Sequence, residues 1–128
     1  MTRIVVADDN PVVRELVREI LESPDCQIHE AADGREALSK IEETRPHLVL
    51  LDIQMPFLDG FTLLRHLRND QRFHDLRVVA ITAYAMPGNR AAALAAGFDD
   101  YITKPIRAAS LRLRIAELLR PFSSEACT

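Results

Sequence analysis

An α/β fold with a parallel sheet is expected for this chain on three grounds. Short apolar runs alternate with longer stretches whose apolar residues recur at helical spacing, and five such pairs can be counted. The third run is apolar throughout, as in a strand covered on both faces. Proline, glycine, asparagine and aspartate punctuate the junctions, where they cap helices and make turns.

Residues 4–7 (Ile-Val-Val-Ala) form the first strand, and Asn10-Pro11 opens a helix, Asn as its cap and Pro in its first turn. Val12, Val13, Leu16, Val17, Ile20 and Leu21 mark its core face, and Pro24 ends it. Residues 27–31 read as the second strand. Asp33-Gly34 starts the second helix with Ala37, Leu38 and Ile41 inward, and Pro46 punctuates again. Residues 47–51 form a third strand that stops at Asp52. The turn-rich segment 55–60 leads into a third helix whose core face is Phe61, Leu64 and Leu67. Residues 78–81 make the fourth strand, 87–96 the fourth helix, stopped by Gly97, and 99–103 the fifth strand. A fifth helix follows Ser110, with Leu111, Ile115, Leu118 and Leu119 on one face and Pro121 closing it.

The 128 residues, 48% hydrophobic, suffice for one core and not for two ordinary domains. A formal net charge of −3 gives no basic field for nucleic acid, and the apolar runs are too short to span a membrane. The N-terminus turns acidic at Asp8 before a signal-peptide apolar region can develop, and Cys26 and Cys127 suit a reducing compartment better than a disulfide framework. A soluble, cytoplasmic protein is the expectation. His29, His47, His66 and His74 show no metal-ligand spacing.

In an open parallel sheet, ligands bind outside the carboxyl ends of the strands. Strand one here ends in Asp8-Asp9, strand three in Asp52 and strand four in Thr82, while Lys104 follows strand five. Singly, each has an ordinary explanation: Asp makes turns and caps, Thr favours strands, Lys is usually a solvated cation. Together they converge on one edge. If strands one and three are neighbours, three carboxylates meet there. At about 5 Å and an effective dielectric near 20, each pair of charges costs roughly 3 kcal/mol, so a hard divalent cation is the natural remedy. Mg²⁺ suits best, because it takes oxygen ligands and commonly shares its site with phosphate oxygens.

The pieces Val5-Val6-Ala7-Asp8-Asp9-Asn10, Leu50-Leu51-Asp52-Ile53-Gln54-Met55-Pro56 with Asp59-Gly60, Ile81-Thr82-Ala83, Gly97-Phe98-Asp99-Asp100-Tyr101 and Thr103-Lys104-Pro105 resemble the response-regulator receiver domains of two-component signalling. The resemblance spans residues 2–120. It implies a flavodoxin-like doubly wound (βα)5 sandwich with strand order 2-1-3-4-5, and a receiver domain over 1–121 followed by a short tail, 122–128.

It further implies that Asp52 accepts a phosphoryl group from a phosphohistidine of a histidine kinase or phosphotransfer protein. Mg²⁺, or Mn²⁺ in its place, would be held by Asp8, Asp9, Asp52 and the backbone carbonyl of Gln54. Lys104 and Thr82 would donate to the equatorial phosphoryl oxygens, and small Ala83 would leave the phosphate room. A cis Lys104–Pro105 bond would aim Lys104. On phosphorylation Thr82 would move and the Tyr101 ring turn into the space it leaves, remodelling the face of helix four, strand five and helix five for an effector protein. Tyr101 also reads as ordinary strand packing. The run of alanines at 91–93, 95 and 96 is either a flat docking surface or simply good helix formers. Gln54 and Tyr84 stand where the family tunes phosphate loss.

Such a chain is no enzyme beyond its own phosphorylation and dephosphorylation. Two other readings compete with it. A haloacid-dehalogenase-type phosphatase also uses a strand-ending Asp with Mg²⁺, but carries a second Asp two residues later, where this chain has Gln54, and a cap that is missing here. A receiver-like binding module that is never phosphorylated usually lacks an acid or the Lys, and all are present. Neither G-x-G-x-x-G nor a Walker A motif occurs. No effector domain follows Arg120, so the expected output is contact with another protein rather than DNA. The last eight residues read equally as a tail or as the start of a linker in a hybrid kinase or larger regulator.

Overall fold

The computed structural model describes residues 2–53, 59–83 and 89–119. Strands and helices alternate without exception: β1 Thr2–Ala7, α1 Pro11–Leu21, β2 Cys26–Ala31, α2 Gly34–Thr44, β3 Leu48–Asp52, α3 Gly60–Arg68, β4 Arg77–Thr82, α4 Asn89–Ala96, β5 Asp100–Thr103 and α5 Ala108–Leu118. The strands form one parallel sheet in the order β2-β1-β3-β4-β5. Both the flavodoxin-like architecture and the strand order agree with expectation.

Because side chains alternate across a strand, successive residues feed two separate cores. Val5, Ala7, Val49, Leu51, Val78 and Ala80 pack on one side against Ala37 and Ile41 of α2, Leu63, Leu64 and Leu67 of α3 and Ala93 of α4. Ile4, Val6, Leu48, Leu50, Val79 and Ile81 pack on the other against Val17 of α1 and Leu111 and Ile115 of α5. Covered on both faces, the central strands must be apolar throughout. This is why they stop abruptly where a polar residue appears.

Three helices begin with side-chain caps, of which Asn10 was foreseen from the sequence. Asn10 accepts from the Val12 N–H at 2.9 Å, Asp33 from the Glu36 N–H at 2.8 Å and Asp59 from the Thr62 N–H at 2.9 Å. The Thr62 bond is the main reason that the Asp59 carboxyl titrates below its ordinary range.

Several helix expectations are corrected. Val12 and Leu16 are 68% and 36% exposed, so only Val17 of the predicted α1 stripe is fully buried. In α3 Leu64 and Leu67 are buried as expected and Leu63 joins them, while Phe61 is half-buried and meets Phe98 edge-on with ring centroids 5.6 Å apart. α4 begins at Asn89, Pro87 lying outside the described residues, and of its alanines Ala93 is buried while the others are exposed. α5 begins at Ala108, ahead of Ser110. As expected, β3 ends in Asp52 and β4 in Thr82.

At the opposite edge of the sheet, His47 joins β3 to β1. Its Nδ1 accepts the Arg3 N–H at 3.1 Å, and its own N–H donates to the Arg3 carbonyl at 2.8 Å. Burial first, and then the Arg3 charge, lower the ring pKa from its ordinary 6.5. A folded-state pKa below the unfolded one gives a contribution that is complete above the unfolded value and lost as pH falls through the folded value. The urea midpoint is therefore expected to decline as pH drops below 6.5. In His47→Gln, whose amide oxygen can accept the Arg3 bond without titrating, the part of that decline above the carboxylate range should vanish. A decline of the same size in both proteins would exclude His47 as its source.

Candidate functional site: an acidic pocket at the carboxyl edge of the sheet

Strand register assembles the pocket. β1 and β3 pair Ala7 with Leu51, which brings Asp8 beside Asp52 one step further on. β3 pairs Asp52 with Ile81 of β4, and β4 pairs Thr82 with Thr103 of β5. Lys104 then continues the β5 line, its N–H donating to the Thr82 carbonyl at 2.8 Å. Four strands thus deliver their polar ends to adjacent positions.

Asp8 is fully buried, Asp52 is 4% exposed, Thr82 is fully buried and Asp9 is exposed. One carboxylate oxygen from each of Asp8, Asp9 and Asp52 lies within 4.8 Å of the others, a spacing that one cation can bridge. The Lys104 ammonium enters from the β5 side, with Nζ 2.7 Å from Asp8 Oδ2 and 3.4 Å from Asp52 Oδ2. The peptide bond after it, Lys104–Pro105, is cis.

The two oxygens of Asp8 differ. Oδ1 accepts the Asn10 N–H at 2.9 Å, whereas Oδ2 is sealed from solvent and takes no well-angled hydrogen bond, so Lys104 meets it as a charge rather than as an aligned donor. A buried anionic oxygen in that condition has capacity left for a cation. Burial is the largest single influence on Lys104 and lowers its pKa. The close approach to Asp8 and the charges of Asp52 and Asp8 together outweigh it and hold the pKa above the usual 10.5. The ammonium is therefore a permanent fixture at neutral pH.

Gly60 lies against the backbone that carries Asp52. Its N–H donates to the Ile53 carbonyl at 3.3 Å, and a Cβ at this position would stand 2.6 Å from the Ile53 Cα and 3.1 Å from the Asp52 carbonyl oxygen. Both obstacles are backbone and cannot rotate away. Gly60→Ala is expected to cost about 1–3 kcal/mol as the backbone beside Asp52 shifts; a denaturation midpoint equal to the parent's would disprove the close approach.

Asp8, Asp9, Asp52, Thr82 and Lys104, singled out from the sequence, all stand at this edge. Tyr101 is buried, 6% exposed, within the core cluster on the α2–α4 side. Ala83 is exposed beside Thr82. Gln54 and Tyr84 lie outside the described residues. Two contributors were not foreseen: Gly60 as a steric requirement, and Arg14, whose Nη1 donates to the Asp8 carbonyl at 2.6 Å. Among the described residues no helix is long and apolar enough to cross a membrane.

Residues 4–116 match the family model of the response regulator receiver domain. An uncharacterized 14.6 kDa protein of Leptolyngbya boryana is 42% identical over 103 residues, covering 80% of this chain and 79% of that one. The response regulator MprA of Mycolicibacterium vanbaalenii is 42% identical over 118 residues, covering 92% of this chain but 50% of MprA, so the chain spans about half of that relative's length. Among solved structures, the signal receiver domain of a signal transduction histidine kinase from Syntrophus aciditrophicus superposes with a TM-score of 0.84 at 31% identity, over 94% of this chain and 92% of that one. The family match over most of the chain, the strand order and the convergence of Asp8, Asp9, Asp52, Thr82 and Lys104 at one edge lead to one conclusion: the chain belongs to the response-regulator receiver domains of two-component signalling.

Proposed function

We propose that the chain is a phosphoacceptor switch in which Asp52 is the acceptor. The observation that carries this reading is a nearly buried strand-end carboxylate with two further carboxylates and an ammonium within reach. An Asp52 carboxylate oxygen attacks the phosphorus of a phosphohistidine, the P–N bond breaks, and an acyl phosphate forms on Asp52 while the freed imidazole takes up a proton. Asp8, Asp9, Asp52 and the Gln54 carbonyl would hold Mg²⁺ or Mn²⁺, which when bound supplies positive charge to the transferring group. Lys104 lies between Asp8 and Asp52 and turns its ammonium to the new phosphoryl oxygens, and the Thr82 hydroxyl serves as a second donor. Since phosphoryl transfer asks mainly for positioning and charge stabilisation, these few groups suffice.

The similarity to MprA and to a histidine kinase's receiver supports a histidine kinase or phosphotransfer protein as the donor. For output, the reading uses the face of α4, β5 and α5. Asp100 ties that face together, pairing with Arg114 of α5 at 3.0 Å and Arg90 of α4 at 3.6 Å, while Arg114 also donates to the Tyr101 carbonyl at 2.9 Å. Movement of Thr82 and of the Tyr101 ring behind this network is the switch, and an effector protein that reads it is the partner. Gln54 and Tyr84 tune the phosphate's lifetime, Tyr84 by screening it from water. Tyr84→Glu is expected to shorten that lifetime, and a decay rate no faster than the parent's removes the role.

The deciding experiment treats the full chain with acetyl phosphate and Mg²⁺ and weighs the intact protein. The mass of one added phosphate, absent when EDTA is present, is the expected result. Failure of the chain to gain phosphate with Mg²⁺, or a phosphate mapped away from Asp52, overturns the reading.

A further inference from the structure

Asp8 is fixed through its backbone as firmly as through its side chain. Its N–H donates to the Ala31 carbonyl at the end of β2 at 3.1 Å, and its carbonyl accepts Arg14 Nη1 at 2.6 Å. Arg14 projects from the first turn of α1 and is 16% exposed in its side chain. The guanidinium is aligned from behind: Arg14 Nε donates to Glu30 Oε1 at 3.1 Å, and the other Glu30 oxygen accepts Arg18 Nε at 2.9 Å. Arg18 is itself held by the Ile28 carbonyl and by Glu22. β2 is the strand whose carboxyl end sends none of the site residues into the pocket, yet it supplies Glu30, which fixes the group that fixes Asp8.

The Asp8 carbonyl shares a rigid peptide plane with the Asp9 nitrogen and Cα, so whatever sets that plane sets the point and the N–Cα axis from which the Asp9 side chain departs. Asp9 is the exposed member of the three carboxylates. We infer that Arg14, aligned by Glu30, is a positioning residue for the divalent-ion site, holding the Asp8–Asp9 peptide so that the Asp9 carboxylate meets those of Asp8 and Asp52. The inference rests on the metal-dependent reading given above.

Charge and geometry predict opposite signs, which makes the role testable. Removing a cation from beside three carboxylates strengthens the binding of another cation by simple Coulomb attraction. Losing the hydrogen bond that orients a ligand weakens it, by roughly 10-fold or more for groups that support a ligand from outside the coordination shell. A merely structural Arg14 would lower the melting temperature in EDTA and leave the affinity of the folded protein unchanged.

The experiment titrates the full chain, Arg14→Ala and Arg14→Lys with Mn²⁺, reading free ion by electron paramagnetic resonance, with melting in EDTA alongside. Arg14→Ala is expected to bind roughly 10-fold or more weakly. Arg14→Lys keeps the charge but cannot fork between the Asp8 carbonyl and Glu30, and should also lose affinity, though less. Binding by Arg14→Ala as tight as the parent's, or tighter, overturns the inference and leaves the phosphoacceptor reading standing. If Arg14→Ala does not fold, Arg14→Lys decides in the same way, weaker binding supporting the role and unchanged binding refuting it. A parent chain that binds neither Mn²⁺ nor Mg²⁺ overturns both.

Discussion

Asp52→Asn is expected to take up no phosphate from acetyl phosphate or from a phosphohistidine donor, under conditions that convert the parent. The loss should be complete rather than graded, because an amide oxygen cannot form the acyl phosphate that a carboxylate forms. The shape of the side chain is kept, so the pocket should stay assembled. One charge of the acidic cluster disappears and the repulsion among Asp8, Asp9 and position 52 falls, so the variant should be at least as stable as the parent in EDTA. Intact-mass spectrometry and a urea melt check the two halves. Loss of phosphate uptake together with loss of folding would leave the nucleophile unproven, and the isosteric substitution is chosen to separate them.

Lys104→Ala should slow phosphate uptake by about 10²–10³-fold, the range for removing one donor aimed at developing charge. It should also destabilise the metal-free protein. Asp8 is fully buried, and its Oδ2 has Lys104 Nζ as its near cation at 2.7 Å. Stranding a buried carboxylate typically costs about 3–5 kcal/mol, to be discounted here because the ammonium end is partly exposed. Added Mg²⁺ should restore much of the loss, since a second cation can take the place of the first. The pH dependence has a definite sign. The folded-state pKa of Lys104 is raised, so its contribution is complete below the unfolded value near 10.5 and disappears only as pH rises through the folded one. Uptake at the parent's rate, or a melting temperature in EDTA that ignores the substitution, would remove Lys104 from the pocket's chemistry.

The strands were legible because of where they sit. A strand buried on both faces must be apolar end to end, so Leu48 to Leu51 announces itself and Asp52 marks the edge. The cap at Asn10 was legible because capping is local chemistry, as were the starts of the second and third helices near Asp33 and Asp59. Strand order was not, since nothing in a strand's own residues says which strand lies beside it; the resemblance supplied it. Helix faces were only half legible. Periodicity locates the centre of an apolar stripe but not its width, so Val12 and Leu16 were drawn inward with Val17 although the sheet covers only Val17. Arg14 was hidden for a different reason: its target is a backbone carbonyl, which carries no residue signature. Gly60 was legible as a turn residue, but the demand that excludes a methyl group comes from Ile53, seven residues earlier, and exists only once the chain has folded.

The make-up of the pocket decides more than where an ion sits. At full ionisation, Asp8, Asp9 and Asp52 against Lys104 leave two negative charges, the complement of a single divalent ion. A sodium or potassium ion would leave the edge of the sheet under-compensated, and a lanthanide would overshoot. Charge balance therefore favours a divalent ion, and the trivalent ions used as luminescent probes would leave one positive charge in excess, holding an anionic phosphoryl group more tightly than a divalent ion would.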